Sequence, residues 1–208
     1  MPYRSSEKTR QKKDAKRTAM LQSAVRIFAE RGYQATTIRD IVSDADVAIG
    51  TFYFYFPDKE TLFVHLYEET ADFLIQTLQQ AVNSRSSFPQ QVKAVLQSYV
   101  SIAVFEPAVV ELLLVAGVGT VPALAEKRAV FREKLVQIWQ RPLSEAMDRN
   151  FVPLQNERQT AVALTGAIDQ VILGMLAEAD RDEIADGVVQ DMTRFVLRAT
   201  GYYGEQGK

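Results

Sequence analysis

The residues whose types and spacing suggest a chemical role are concentrated at the start of the chain. Residues 1–17 hold two anions and seven cations, namely Arg4, Lys8, Arg10, Lys12, Lys13, Lys16 and Arg17. Cations at this density can neutralise the phosphates of a nucleic acid, although a solvated charged tail has the same composition. The formal charge of the whole chain is only −2, because the residues after position 17 are acidic on balance.

The composition excludes several kinds of active site. The chain has no cysteine, which rules out disulfides, thiolate metal sites and cysteine nucleophiles. Its single histidine, His65, leaves no histidine cluster for a metal, and we interpret it as a packing or hydrogen-bonding residue. No phosphate-binding loop or dinucleotide motif is present, although 26 acidic residues leave carboxylate pairs available. We therefore expect a protein that binds rather than an enzyme, without catalytic residues, metal or cofactor.

The sequence also predicts a cytoplasmic protein without a membrane partner. Residues 1–20 contain no apolar segment typical of a signal peptide. The most apolar stretch, residues 102–121, is interrupted by Glu106, Pro107 and Glu111, which argues against a membrane span.

The elements that position these residues are predicted to be helices throughout. Apolar residues recur with helical spacing at Leu21, Ala24, Val25 and Phe28, ahead of Gly32. This pattern predicts a helix from about Asp14 to Arg31, with Gly32 as a left-handed residue at its end. Since no segment alternates like a strand, we predict an all-α chain of about nine helices.

Two short helices are predicted after the first one. Thr37 is a good cap for a helix over residues 38–44, and a second helix over residues 48–55 must end before Pro57. The three residues between them, 45–47, leave room only for a turn. This arrangement is typical of a helix-turn-helix, whose recognition helix lies in the major groove. Small three-helix bundles that bind no DNA share the pattern.

Two runs of residues narrow this interpretation. One extends from Phe28 to Ile41 and contains Glu-Arg-Gly-Tyr and Thr-Thr-Ile-Arg-Asp-Ile. The other extends from Gly50 to Phe63 and contains Gly-Thr-Phe-Tyr-Phe-Tyr-Phe-Pro-Asp-Lys-Glu-Thr-Leu-Phe. Over residues 14–65 the chain resembles the TetR (tetracycline-repressor-like) family of transcriptional regulators. The resemblance implies a basic flexible arm (1–13), a three-helix DNA-binding domain (14–57) and a larger helical ligand-binding and dimerisation domain (58–208).

The resemblance also implies which residues contact DNA. Thr37 and Arg39 lie at the start of the second helix, where hydroxyl, N–H and guanidinium groups suit a phosphate. Thr51 and Tyr53 match contact positions of the third helix, and Lys59 matches a phosphate clamp. The full predicted set is Arg17, Thr36, Thr37, Arg39, Ala48, Gly50, Thr51, Tyr53, Phe54, Tyr55 and Lys59.

Three further expectations concern the second and third helices. The third helix lacks Lys and Arg, so we expect specificity from Thr, Tyr, apolar contacts and DNA shape rather than from arginine on guanine. Phe52 and Phe56 are predicted to be core residues, whereas Phe54 is compatible with either core or groove. Asp46 occupies a turn position where the family often has glycine, and we expect the turn to form regardless.

For the larger domain, the resemblance implies an effector pocket and a dimer interface, although ordinary core packing is the alternative for both sets. The predicted pocket residues are Phe73, Tyr99, Phe105, Leu113, Phe131, Leu135, Trp139 and Asp169. The predicted dimer residues, which form two apolar helical stripes, are Leu164, Ile168, Val171, Ile172, Met175, Val188, Met192 and Phe195.

Together these features predict a ligand-responsive, DNA-binding transcriptional regulator. We expect a repressor that binds a palindromic double-stranded operator as a homodimer and is released by a small lipophilic or aromatic effector. The alternative is a helical protein-interaction module without sequence-specific DNA binding.

Overall fold

The structure is a computed structural model that describes residues 7–117, 119 and 121–204. Within these ranges the chain forms nine helices joined by turns and short irregular segments, which confirms the all-α prediction. The helices are α1 (Glu7–Ala35), α2 (Ile38–Asp44), α3 (Ile49–Tyr55), α4 (Lys59–Asn83), α5 (Phe88–Phe105), α6 (Pro107–Leu114), α7 (Leu124–Asp148), α8 (Glu157–Leu176) and α9 (Arg181–Ala199).

Helix α1 begins earlier than the sequence predicted. Its backbone is helical from Glu7, so residues 7–13 belong to the helix and not to a flexible arm. Lys, Arg, Gln and Glu are good helix formers, a propensity that a search for apolar periodicity overlooks. Residues 1–6 of the predicted arm lie outside the described residues. Near the other end, Gly32 has φ 74° and ψ 167°, a conformation that suits glycine and interrupts the helix as expected.

The two short helices form with local hydrogen bonds that fix their ends. Thr37 Oγ1 accepts the Asp40 N–H at 3.2 Å, and the Asp40 carboxylate accepts the Thr37 N–H at 2.8 Å, forming a capping box. The turn after α2 forms with Asp46 at φ 52°, as expected. Ser87, which precedes α5, makes no side-chain cap hydrogen bond, in contrast to Thr37.

Aromatic side chains fill the interior of the first helices and join them to α4. Phe52 and Phe56 are 0% and 4% exposed, which confirms their predicted core role. The Phe28 ring meets the Phe63 ring edge-on at 4.6 Å, linking α1 to α4. Phe54, whose position the sequence left open, is 65% exposed and therefore lies on the surface.

Lys59 connects the start of α4 to the end of α1. Its Nζ donates to the carbonyls of Tyr33 at 2.7 Å and Thr36 at 2.8 Å, and it lies 4.2 Å from the Tyr33 ring centroid. Carbonyls at a helix end lack intrahelical donors, so the ammonium satisfies them. Burial lowers the pKa of Lys59. Two of the three ammonium protons hold the protein's own backbone, so the predicted phosphate contact of half-buried Lys59 stays a prediction for the third.

The larger domain is built around α5 and α8. Helix α5 packs against α4 and α9, α7 packs against α4 and α8, and α6 packs against α1. Helix α8 is long and apolar enough to cross a membrane by length and composition, with a mean hydropathy of 1.3. Its buried face packs against its neighbours, and buried Asp169 lies on that face.

Helix α6 contacts α1 and also α4, α5 and α8, so it connects the first helices to the core of the larger domain.

We expect that Lys59→Gln lowers the free energy of unfolding by about 1–3 kcal/mol, because two carbonyls lose a charged donor. Urea denaturation followed by circular dichroism measures the change. Lys93→Gln is the matched control, since Lys93 is exposed on α5 and should change stability by less than about 0.5 kcal/mol. Equal stability of the two variants would contradict the anchoring role of Lys59.

Candidate nucleic-acid interface and effector region

Helix α3 exposes one face and buries the other. Tyr53 and Phe54 are 56% and 65% exposed, while Phe52, on the opposite side of the helix, is fully buried. The structure therefore brings the predicted residues of α3 onto one surface. Ala48, Gly50, Tyr53 and Phe54 are exposed there, and Thr51 and Tyr55 are half-buried.

Ile49 belongs to the same surface, although it lies outside the predicted set. It is 45% exposed and lies one helical turn before Tyr53, so the two side chains share a face. The spacing of four residues was the signal that would have identified it. An exposed Ile, Tyr and Phe on one short helix make an apolar surface that is typical of a binding site.

The start of α2, the helix that precedes α3 in the chain, is already partly occupied by an acid. Asp40 accepts hydrogen bonds from both the hydroxyl and the N–H of Thr37, at 2.6 Å and 2.8 Å. These hydrogen bonds, with the nearby Arg31 charge, lower the pKa of the Asp40 carboxyl. Because Thr37 is engaged in this way, the first-turn N–H groups of Ile38 and Arg39 are the ones left for a phosphate.

Arg39 is exposed at this position, as a phosphate contact requires. The sequence also allows a pair between Arg39 and its neighbour Asp40. The ion pair that forms with Asp40 is instead that of Arg31, at 3.8 Å.

Two predicted DNA-contact residues make contacts within the protein, one in the interior and one at the surface. Thr36 is 1% exposed, and its hydroxyl donates to the Gly32 carbonyl at 2.8 Å, so its side chain faces the end of α1. Arg17 forms an ion pair with Glu69 at 3.0 Å and contacts the His65 ring nitrogen, which links α1 to α4. Thr36 is therefore corrected to a core residue, whereas the DNA contact of part-exposed Arg17 stays a prediction. His65 has the hydrogen-bonding role expected of it.

The predicted effector residues divide into a buried group and an exposed pair. Phe73 and Phe105 are 51% and 80% exposed, so neither lines an interior pocket. Phe105 is the last residue of α5, where the chain bends by 105° into α6, and Phe73 lies on the outer side of α4. The other predicted residues are all buried, namely Tyr99, Leu113, Phe131, Leu135, Trp139 and Asp169.

Asp169 is the unusual member of this buried group. It is 6% exposed, and its Oδ1 accepts the hydroxyl of Tyr99 at 3.1 Å. Its Oδ2 is buried without a hydrogen bond and lies 3.8 Å from the Arg132 guanidinium. Burial raises the pKa of the Asp169 carboxyl to about 6, although the Tyr99 hydrogen bond and the Arg132 charge act in the opposite direction. Burial and Asp169 together raise the pKa of Tyr99 well above its ordinary value.

Most of the predicted dimer residues pack within one chain. Leu164, Ile168, Ile172, Met175 and Met192 are all buried in the single chain, so they are corrected to core residues. An apolar helical stripe is stabilised by packing on any apolar surface within reach. Here α7 packs against α8, and α5 packs against α9.

The outer surfaces of α8 and α9 retain a smaller apolar set. Among the predicted dimer residues, Val171 is 37% exposed, Phe195 is 44% exposed and Val188 is half-buried. Val162, which lies outside the predicted set, is 49% exposed on the same helix as Val171. Gly166 and Gly174 on α8 are exposed as well.

Comparisons with known proteins agree with this geometry. A profile of the family described as bacterial regulatory proteins, tetR family, matches residues 20–66, which extend from the middle of α1 into α4. The HTH-type transcriptional repressor KstR2 of Mycolicibacterium smegmatis is 34% identical over 73 residues, covering 35% of this chain and 36% of that protein. The fatty acid metabolism regulator protein of Bacillus subtilis is 26% identical over 83 residues, covering 40% and 43%. These matches therefore span less than half of each relative.

A solved structure extends the likeness to most of the chain at the level of the fold. The transcriptional regulator FadR from Bacillus subtilis, in complex with stearoyl-CoA, superimposes with a TM-score of 0.73 at 18% identity. The superposition covers 85% of this chain and 97% of that one.

We expect Asp169→Asn to remove a pH dependence of stability. A buried acid with a raised pKa binds a proton more tightly in the folded state, so stability falls as the pH rises from about 4 to about 6. The loss amounts to at most about 3 kcal/mol, and the variant should gain stability at pH 7.5. Urea denaturation across this pH range measures it, with Asp148→Asn at the exposed end of α7 as control. An unchanged profile in Asp169→Asn would refute this assignment.

Proposed function

We propose that this chain, which belongs to the TetR family of bacterial regulatory proteins, represses transcription by binding a palindromic DNA operator as a homodimer and releases it on binding an effector. The observation that carries this proposal is the exposed face of α3, where Gly50, Tyr53 and Phe54 are open to solvent and buried Phe52 anchors the helix. Such a protein acts where the DNA is, in the cytoplasm.

The dimensions and chemistry of α3 suit a major groove. Seven helical residues extend about 10 Å, and the groove of B-DNA is about 12 Å wide. The hydroxyls of Thr51 and Tyr53 can donate to or accept from base edges, while Ile49 and Phe54 suit thymine methyl groups. Apart from its chain neighbours and the backbone of its own helix, Gly50 has no atom within 4 Å of the position that a Cβ would take, which leaves its backbone open to close approach.

Phosphate contacts would come from outside α3, which has no Lys or Arg. The first-turn N–H groups of α2 and the exposed Arg39 guanidinium are one source of such contacts. The six cations of residues 1–16 are a second source of positive charge for phosphate contacts. Because phosphate contacts carry no base information, this division leaves sequence reading to the hydroxyl and apolar groups of α3.

The dimer is proposed to form through the outer faces of α8 and α9. Val162 and Val171 on α8 and Phe195 on α9 are exposed apolar residues on these faces. The exposed glycines of α8 would let a second helix approach closely. Two copies related by a two-fold axis would present their α3 helices to half-sites about 34–36 Å apart, as a palindromic operator requires.

The effector is proposed to be a small lipophilic or aromatic molecule bound by the larger domain. The interior of α4, α5, α7 and α8 is lined by large apolar side chains, among them Tyr67, Tyr99 and Phe131. The fold neighbour from Bacillus subtilis was solved with stearoyl-CoA, a ligand with a long apolar chain. An effector that binds one arrangement of the two domains more tightly than the other would shift the population away from the DNA-bound form.

We expect Tyr53→Ala to weaken operator binding at least about tenfold without changing the melting temperature, because Tyr53 is exposed and contributes to the groove contact. DNase footprinting and mobility shifts on DNA upstream of the chain's own coding sequence measure this. Tyr203→Ala is the control, since Tyr203 is also an exposed tyrosine but lies beyond α9.

Sequence-specific protection by the wild-type chain together with its loss in Tyr53→Ala supports the proposal. Full affinity in Tyr53→Ala would remove this residue from the interface. No specific protection on any upstream fragment would favour the alternative of a helical protein-interaction module.

We expect Phe195→Glu to convert the dimer into a monomer, because the substitution places a charge on each side of an apolar two-fold contact. Sedimentation equilibrium gives the oligomeric state. Phe73→Glu is the matched control, since Phe73 is comparably exposed but lies on α4. If both variants sediment like the wild type, the proposed interface is incorrect.

A further inference from the structure

A cleft lies between the DNA-binding helices and the larger domain. It has a volume of about 810 Å³ and is bounded by α1 and the end of α2 on one side, and by the α5–α6 bend and the start of α9 on the other. A second hollow of about 530 Å³ lies against the end of α1 and the ends of α6 and α8. Glu111 and Ala29 line both hollows, so Glu111 stands at their junction. Volumes of this size are typical of small-molecule sites.

The charges that line the larger cleft are mainly negative. Four carboxylates, those of Glu30, Asp44, Glu106 and Glu111, face the guanidinium groups of Arg26 and Arg181.

Arg26 already pairs with two acids on its own side of the cleft, the wall formed by α1 and α2. It forms ion pairs with Glu30 at 3.4 Å and with Asp44. The opposite wall therefore carries two acids, Glu106 and Glu111, against the single cation Arg181.

In the described part of the chain, the side chains of the acids on that wall are not held by hydrogen bonds or close ion pairs, although the charge of Arg181 acts on Glu111. Among the residues that the structure describes, neither Glu106 nor Glu111 makes a hydrogen bond or ion pair with its side chain. Glu111 is half-buried, and burial raises the pKa of its carboxyl, while the charge of Arg181 lowers it. The Nε–H of Arg181 is buried and has no acceptor among these residues. A partly desolvated carboxylate without a partner favours a cation that would pair with it.

Apolar surface adjoins these charges. Val25 and Ala29 of α1 and Val109 of α6 line the cleft beside Glu111. A ligand that satisfied this site would therefore combine a positive charge with an apolar body.

We propose that this interdomain cleft binds an amphipathic organic cation, whose charge pairs with Glu111 and Glu106 and whose apolar part packs on Val25 and Val109. The site is separate from the core around Asp169, and its binding step does not depend on the proposed DNA function. Because one wall belongs to α1 and α2 and the other to α6 and α9, the occupant contacts both domains at once. Its effect on the operator, in contrast, rests on the proposed repressor function.

The test uses tetraphenylphosphonium, a lipophilic cation, and tetraphenylborate, an anion of nearly the same size and shape. Isothermal titration calorimetry is performed on the full chain without DNA. We expect the cation to bind at least about tenfold more tightly than the anion, and Glu111→Gln to weaken cation binding at least about tenfold. Glu106→Gln should weaken it in the same direction and to a smaller extent, because Glu106 is exposed.

Two control variants locate the binding site. Glu126→Gln removes an exposed carboxylate of α7 outside the cleft, and Asp169→Asn removes the buried carboxylate of the core. Both should bind the cation as the wild type does. Melting temperatures establish that each variant is folded: those of the three glutamate variants should lie close to that of the wild type, and that of Asp169→Asn should lie above it at pH 7.5.

The proposal is overturned by any of three results. These are no cation binding below about 1 mM, equal affinity for the anion, or a loss of binding in Asp169→Asn that Glu111→Gln does not share. Footprinting without any ligand is a separate measurement. A chain that protects DNA but fails the titration would refute only the cleft site, and the reverse result would refute only the repressor function.

Discussion

The contact between α1 and α4 is the constraint on which the rest of the structure depends. The Lys59 ammonium satisfies the carbonyls at the end of α1, Phe28 and Phe63 pack edge-on beside it, and Arg17 pairs with Glu69 farther along the same two helices. These contacts combine a charged hydrogen bond, an aromatic pair and an ion pair across one junction. A displacement of α4 therefore moves the helices that carry the candidate DNA surface.

Within the seven residues of α3, some side chains pack against the interior and others form that surface. Phe52 provides the packing that holds α3 in place, which leaves Ile49, Tyr53 and Phe54 exposed to solvent. Exposing large apolar groups is unfavourable unless a partner covers them, so their clustering is informative about binding. Positive charge is placed elsewhere, at Arg39 and in the segment before position 18, where it can act on phosphates without reading bases.

The two unusual carboxylates of the larger domain lie in different surroundings. Asp169 is enclosed by the core and shares a hydrogen bond with Tyr99, whereas Glu111 stands at the edge of a cleft that opens between the domains. Burial raises the pKa of both groups, and Glu111 in addition lines two hollows. A stability measurement therefore tests the first carboxylate, and a ligand titration tests the second.

Local sequence determined the helices, the Thr37 cap, the turn at Asp46 and the burial of Phe52 and Phe56, since propensity, capping and periodicity act over a few residues. Only the tertiary structure decided which partners the long side chains contact and which surface covers each apolar stripe. Lys59 and Arg17 reach distant groups of the same chain, and the α8 stripe around Ile168 meets its own α7. Periodicity states that a residue is buried, but not whether its own chain or a second copy covers it. The cleft at Glu111 likewise arises only where separate segments meet.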